Sequence, residues 1–215
     1  MVSDFNEIKR ESYMKRSRTM MFFAAIFIIC CAASAPGSDA QSHFDSATRF
    51  YNDGKFADAV REYGKVISLA QDRSEPYYYR GKAYYNLHQY DEAIEDFNKA
   101  IIIKSDDADM YHDRGLAYFR KDLFGKTIED DTKAIDLNPR FAAAYQNRGI
   151  SYSRRGQYDE AIDDFNKALS IRPAFMEAYA SRGFAYLRKA AVDYKKACDM
   201  GDKNSCDNLK QLSEQ

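Results

Sequence analysis

Three histidines, His43, His88 and His112, are the side chains of this 215-residue chain best suited to acid–base or metal chemistry. None stands at a metal-ligand spacing from another histidine, a cysteine or a group of carboxylates. The sequence around His112 lacks groups that would orient it as a general base, and no serine lies in a nucleophile turn. We therefore predict no metal, no cofactor and no catalytic residue, and we expect that the protein is not an enzyme.

Two of the four cysteines, Cys198 and Cys206, lie near the C-terminal end, and the other two lie in an N-terminal apolar run. An even pair of cysteines is typical of a disulfide in proteins that are exported. Gly201 suits the residue that follows a helix, and Asn204 or Ser205 suits the cap of the next one. We therefore predict a Cys198–Cys206 disulfide across a helical hairpin.

The N-terminal segment has the features of an export signal. Basic residues precede an uncharged run from Met20 to Ala35, which ends in small residues. A membrane-spanning helix needs about 20 apolar residues, more than this run contains. We expect a cleaved signal at 1–35 and an exported protein (periplasmic, secreted or in a secretory lumen), with a membrane anchor as the alternative. Translation from Met14 would give a more ordinary signal.

Composition restricts both the architecture and the partners. Only 10 Gly and 4 Pro accompany 45% hydrophobic residues, which favours helices with short connections over a sandwich or barrel. The formal charge is −1, so the long-range attraction that drives binding to phosphate backbones is missing. We expect no nucleic-acid partner, and contact with a membrane only through the N-terminal segment if it is not cleaved.

The pattern Tyr-x-x-Arg-Gly recurs every 34 residues, from Tyr77, Tyr111, Tyr145 and Tyr179. A second block, Tyr-Asp-Glu-Ala-Ile-x-Asp-Phe, begins at Tyr90 and returns 68 residues later. Self-similarity at a fixed period of this length is typical of a solenoid built from stacked helix pairs. The chain resembles the tetratricopeptide repeat family over nearly all of its length beyond the signal.

The resemblance implies an all-α fold, a right-handed superhelix of antiparallel helix pairs with four full units and a shortened fifth. The expected segments are a signal at 1–35, a linker at 36–39, an array at 40–202 with units at 40–73, 74–107, 108–141, 142–175 and 176–202, and a capping helix and tail at 203–215.

Glycines recur inside the first helix of each later unit, where glycine costs about 1 kcal/mol relative to alanine. They are Gly81, Gly115, Gly149 and Gly183. We expect the second helix to approach closely there, with Phe97 and Phe165 filling the adjacent volume.

Thr127 and Asp131 replace the Ala and Phe of the neighbouring units, so we expect the third unit to be the weakest. Asp131→Phe is then expected to raise the melting temperature.

The repeat also matches charges between the two helices of a unit. Arg80, Arg114, Arg148 and Arg182 correspond to Asp96, Asp130, Asp164 and Asp193. We predict ion pairs that hold each helix pair together.

The fifth unit lacks the residues that would form its inter-helix turn. Good helix formers fill the junction, and small and aromatic residues continue at helical spacing. We predict one continuous helix from Glu177 to Met200, with Tyr194, Ala197 and Cys198 exposed as a surface for self-association.

In the tetratricopeptide family the first helices line the concave face, and this resemblance implies a binding groove. Its residues would be Tyr78, Lys82, Tyr85, Asn86, His112, Leu116, Phe119, Arg120, Gln146, Ile150, Ser153 and Arg154. Some family members grip terminal carboxylates with a clamp of Lys, Asn and Arg; the equivalent places here hold Phe44, Thr48, Tyr78, Lys82, His112 and Leu116, so that clamp is not reproduced. The alternative is that several groove aromatics belong to the core.

We therefore predict a non-enzymatic scaffold that binds a peptide segment of a partner protein in this groove. One alternative is a self-assembling structural component. A second is an enzyme that binds cell-wall ligands, because the segment from Lys195 to Cys206 is weakly similar to cysteine-rich helical repeats.

Overall fold

The computed structural model describes residues 36–213, which form ten helices and no strand. The predicted signal at 1–35 lies outside these residues. The helices are α1 (Pro36–Asn52), α2 (Phe56–Leu69), α3 (Ser74–Asn86), α4 (Tyr90–Ile103), α5 (Ala108–Arg120), α6 (Phe124–Leu137), α7 (Ala142–Arg154), α8 (Tyr158–Ile171), α9 (Met176–Asp199) and α10 (Lys203–Ser213). Within the described range, no helix is long and apolar enough to span a membrane.

Each helix packs against the next along the chain, so the helices form pairs that stack in order. From α3 onward, the first helix of each unit also contacts the first helix of the following unit, which gives one continuous face. The predicted all-α solenoid is confirmed, and α3, α5, α7 and α9 begin at or within the first residues of the predicted units.

The predicted linker at 36–39 is wrong, because these residues form the first turn of α1. Pro36 begins the helix, where its missing N–H costs no hydrogen bond and its fixed φ suits helical geometry. Asp39 lies in the same turn, and its negative charge favours a helix N-terminus.

Four turns between paired helices share one backbone conformation, repeated every 34 residues. Gly54, His88, Asp122 and Gly156 have φ values of 74°, 60°, 56° and 77°, in the left-handed region. His88 therefore lies in a turn, where its Nδ1 is hydrogen-bonded to the Tyr90 hydroxyl at 2.9 Å. The His88 side chain is exposed, and its role is to form part of the turn.

The repeated tyrosines and arginine form a single packing unit, best described at Arg148. Its guanidinium donates to both oxygens of Asp164, at 2.8 and 2.7 Å, across the helix pair. It lies 5.6 and 5.9 Å from the ring centroids of Tyr145 and Tyr152, and a third hydrogen bond reaches Thr132 of the preceding unit. The motif thus joins two helices and two units through one charge.

Arg80–Asp96 and Arg114–Asp130 repeat this geometry, which confirms the predicted ion pairs in the second, third and fourth units. The prediction is wrong for Arg182, which donates to Asn166 of the preceding unit at 2.6 Å. Asp193 lies on the same continuous helix as Arg182, so no second helix folds back to place Asp193 beside Arg182.

Close helix approach accounts for two of the repeat glycines. A Cβ atom on Gly81 would lie 2.9 Å from the Phe97 ring, and one on Gly149 would lie 2.8 Å from the Phe165 ring. No atom lies within 4 Å of the equivalent position on Gly183. The expectation of close packing is wrong there, because the fifth unit has no second helix folded against its first.

The predicted continuous helix is confirmed, since α9 runs unbroken for 24 residues. The predicted exposure of its far half is wrong, because α10 folds back and leaves Tyr194, Ala197 and Cys198 half-buried. Gly201 takes a φ of 98° after α9, as predicted. The cap of α10 is neither Asn204 nor Ser205: Asp202 accepts the Ser205 backbone N–H at 3.1 Å.

The structure pairs Cys198 with Cys206 across this hairpin, with their Cα atoms 4.8 Å apart. In protein taken from its native compartment, we expect mass spectrometry to find the two thiols joined. Reduction should then lower the free energy of unfolding by about 2–3 kcal/mol, because the unfolded chain regains the freedom of the closed loop. Two free thiols in such material would contradict the prediction.

Candidate functional site

A small pocket of about 180 Å³ opens between the first helices of the second and third units. We call it the second-unit pocket. Its lining residues are Lys82, Tyr85, Asn86, Phe97, Asp113 and Leu116. Four of these, Lys82, Tyr85, Asn86 and Leu116, were predicted for the groove.

Most polar side chains in and beside the second-unit pocket already have partners within the chain. Lys82 Nζ lies 3.5 Å from Asp113 Oδ2, and the Tyr78 hydroxyl donates to the same oxygen at 2.7 Å. Burial and the Asp113 charge raise the pKa of Tyr78, which keeps its hydroxyl protonated. Arg120 Nε donates to the Tyr85 hydroxyl at 2.9 Å. Lys82 and Asp113 of this pocket therefore form an ion pair, and Arg120 beside it is bonded to a tyrosine hydroxyl.

A larger pocket of about 520 Å³, here the fourth-unit pocket, lies between the first helix of the fourth unit and α9. Its lining residues are Ile150, Ser153, Arg154, Tyr158, Phe165, Ala180, Ser181, Phe184 and Arg188. Every residue of the second-unit pocket has its counterpart here, 68 residues later in the sequence. The two pockets are therefore the same feature of the repeat.

Three substitutions explain why the fourth-unit pocket is larger and lacks an internal ion pair. Lys82 and Asp113, which form an ion pair in the second-unit pocket, correspond to Ile150 and Ser181. The Tyr85 ring corresponds to the small Ser153, which removes an aromatic wall. The residue equivalent to Arg120 therefore has no tyrosine hydroxyl to bond, which leaves Arg188 at the rim.

In the first and third units, side chains fill the positions where the second and fourth units have a pocket. In the first unit, Tyr79 stacks on Tyr63 with ring centroids 6.1 Å apart. In the third unit, Asn147 lies against Asp131 and donates to its Oδ2 at 2.6 Å. The face thus alternates between filled and open places from one unit to the next.

The third-unit filling is a buried polar network. Asp131 has no exposed surface, and its Oδ1 lies 2.7 Å from His112 Nδ1. Both carboxylate oxygens therefore have partners, as a buried carboxylate requires. Thr127 donates to the Gly115 carbonyl at 3.1 Å within the same helix pair. His112 is 8% exposed, so its predicted role as a groove residue is wrong. The carboxylate at residue 131 holds the imidazole in the interior and orients it, so the expectation that no group orients His112 is wrong.

Burial raises the pKa of Asp131 to about 6, against hydrogen bonds from His112 and Asn147 that favour the ionised form. Burial alone would lower the pKa of His112, but the hydrogen bond and negative charge of Asp131 outweigh it and raise that pKa. Both groups therefore hold their protons more tightly in the folded chain than in the unfolded chain.

This network should make stability depend on pH. Because both folded-state pKa values are raised, its contribution to stability declines as pH rises from about 4, through 6, and past the raised pKa of His112. In Asp131→Asn the carboxylate is absent and the buried His112 loses the charge that favours its protonation. Wild type should therefore exceed this variant in unfolding free energy by about 1–3 kcal/mol more at pH 5 than at pH 8. Urea titrations at both pH values measure this difference, and equal differences would contradict the prediction.

The remaining predicted groove residues have mixed positions. Tyr78 lines a neighbouring cavity of about 430 Å³ with Lys82 and Asp113. Phe119 is half-buried and packs edge-on against Phe124 of its own unit, with ring centroids 5.5 Å apart. Gln146 is half-buried and lines neither open pocket. Ile150, Ser153 and Arg154, which the sequence predicted for the groove, line the fourth-unit pocket.

The sequence prediction missed the residues that α9 contributes to the fourth-unit pocket, which are Ala180, Ser181, Phe184 and Arg188. The 34-residue period was sufficient to find them. Phe184 and Arg188 follow Ile150 and Arg154 by one repeat, but the predicted groove ended at the fourth unit. Among residues 36–213, no cluster of three or more His, Cys, Asp or Glu side chains is arranged to hold a metal ion.

A profile of the family described as Tetratricopeptide repeat matches residues 74–107 and 142–175. These are the second and fourth units, whose pockets are open. A comparison with curated proteins finds no match.

Solved structures share the fold over most of the chain. A crystal structure of MamA is 30% identical, with a TM-score of 0.65 over 78% of this chain and 92% of that one. The first TPR of Spaghetti (RPAP3), solved with the HSP90 peptide SRMEEVD, is 25% identical, with a TM-score of 0.54 over 55% of this chain and 94% of that one. YrrB, at 22% identity, has a TM-score of 0.64 over 84% of this chain and all of that one, and it supports the fold alone.

Proposed function

Because the chain belongs to the tetratricopeptide repeat family, we propose that it is a non-enzymatic scaffold that binds a segment of a partner protein along its first-helix face. The observation that carries this proposal is the repeated pocket, open in the second and fourth units and filled in the first and third. An extended segment that places one side chain in each open pocket would pass over the third unit, where Asn147 and Asp131 fill the equivalent position.

The chemistry of the pockets suits peptide side chains. Each has an apolar floor that includes a buried phenylalanine, Phe97 or Phe165, and each has polar groups at its rim. Such sites bind an apolar anchor while rim groups set its orientation. The RPAP3 domain, solved with a peptide, supports a peptide ligand for this chain as well.

We also propose that the protein acts after export. The basic and apolar segment at 1–35 has the composition of a signal, and the Cys198–Cys206 pair suits an oxidising compartment. Its partner would then be a protein of the cell envelope or secretory space.

A second candidate function is self-association through α9. Its side chains Tyr179, Tyr186, Leu187 and Val192 are each at least 50% exposed. A solenoid end with exposed apolar groups can accept another copy of the chain. A mass that rises with concentration in light scattering, and returns to the monomer value in Leu187→Ser/Val192→Ser, would favour this function.

Selection from a random dodecapeptide library tests the proposed scaffold. Peptides enriched on the whole chain should bind it with micromolar dissociation constants, measured by fluorescence polarisation. The groove variant Leu116→Asp/Ile150→Asp should weaken this binding by about tenfold or more, because it places charge in both pockets.

Lys99→Glu/Lys133→Glu is the matched control, since both lysines are exposed on second helices away from the pockets. It should bind the selected peptides as wild type does. Circular dichroism establishes that both variants are folded. Enrichment of no peptide, or equal binding to the folded groove variant, would contradict the proposed function.

A further inference from the structure

We infer that the fourth-unit pocket is an anchor site for an acidic peptide segment that carries an apolar side chain. This inference rests on the proposed function and names its ligand class. It depends on how charge is distributed around the two open pockets.

The arginines at the fourth-unit pocket differ from the repeat arginines. Arg80, Arg114 and Arg148 each bond both oxygens of an aspartate. Within the described part of the chain, no carboxylate pairs with Arg154 or Arg188. Arg154 is exposed, and the Arg188 guanidinium lies 4.9 Å from the Phe184 ring centroid. Two guanidinium groups at one pocket are therefore available to a ligand.

The rest of the fourth-unit pocket defines the ligand further. Its apolar walls include Ile150 and Phe165, and Phe184 is 53% exposed at its opening. The hydroxyls of Ser153 and Ser181 are its small polar groups, and its lining includes no carboxylate. An aliphatic or aromatic side chain suits the interior, and carboxylates beside it suit the two arginines.

The opposite end of the face carries negative charge, so the acidic part of a bound segment is expected at the fourth unit. Glu75, Asp107, Asp109 and Asp113 line the cavity beside the second-unit pocket. Lys82 and Lys104 also line it, but each is paired with one of these carboxylates. An acidic segment is disfavoured there and favoured at the fourth unit.

Two labelled probes test the ligand class on the whole chain. The acid probe is fluorescein-Gly-Ser-Asp-Glu-Phe-Asp-Glu-Ser-Gly, and the amide probe replaces its Asp and Glu by Asn and Gln. Fluorescence polarisation should give the acid probe a dissociation constant about tenfold lower than that of the amide probe. This preference should weaken at high salt, because the arginines are at the surface.

Arg154→Gln/Arg188→Gln should remove the preference for the acid probe, whereas Arg140→Gln/Arg155→Gln should retain it. The second pair removes the same charge from exposed arginines that do not line the fourth-unit pocket. Equal affinities of the two probes, or an unchanged preference in Arg154→Gln/Arg188→Gln, would overturn the inference. Equal affinities with library peptides still bound would leave the proposed function standing, whereas absence of all peptide binding would contradict both. A dimer that Phe184→Ser dissociates would assign the pocket to a second copy and overturn the inference.

Discussion

Phe165→Ala should lower the free energy of unfolding by about 3–5 kcal/mol. The Phe165 ring is fully buried, fills the space beside Gly149 and forms the floor of the fourth-unit pocket. Its removal leaves a cavity between α7, α8 and α9 that the rigid helix pairs cannot close. Urea unfolding followed by circular dichroism measures the loss.

Phe184→Ala is the control for this prediction, since Phe184 lines the same pocket but is half-exposed. It should lower the free energy of unfolding by less than about 1 kcal/mol. Equal losses in the two variants would mean that the Phe165 ring is not the structural floor of the pocket.

Asp131→Phe should also lower the free energy of unfolding, by about 3–5 kcal/mol. The sequence pattern predicts the opposite sign, because phenylalanine occupies this place in the neighbouring units. In the structure, His112 and Asn147 both bond the Asp131 carboxylate, and phenylalanine would leave these two buried groups without partners. The larger ring must also displace the imidazole.

The isosteric Asp131→Asn serves as the reference for this second prediction. Its amide keeps the volume of the carboxylate and can still bond both neighbours, so its loss at pH 8 should be well below that of Asp131→Phe. A higher melting temperature for Asp131→Phe would restore the sequence-based expectation and contradict the role assigned to the network.

The fold was predictable because its contacts repeat. Arg148 and Asp164 recur as a pair in three units, and Gly149 recurs opposite Phe165 in two, so packing required by one unit predicts the others. The continuous α9 was predictable for a related reason, since the residues of an inter-helix turn are missing from that unit.

The groove was less predictable because it depends on contacts between units that do not repeat. His112 occupies a groove position in the repeat, but Asp131 draws it into the interior. Whether a pocket is open depends on a side chain of the following unit, such as Tyr79, Asn147 or Ser181. These residues have no pattern in the sequence, and only their positions against the preceding unit reveal their effect.

Photo-cross-linking in the native cell tests the central claim, that the partner binds the first-helix face. The reactive residue p-benzoylphenylalanine replaces Phe184 in the fourth-unit pocket or, as the control, Ile102, which is 78% exposed on the second helix α4. We expect a cross-linked partner from residue 184 that an excess of library-selected peptide removes, and no such product from residue 102. A partner cross-linked from residue 102 but not from residue 184 would contradict the account.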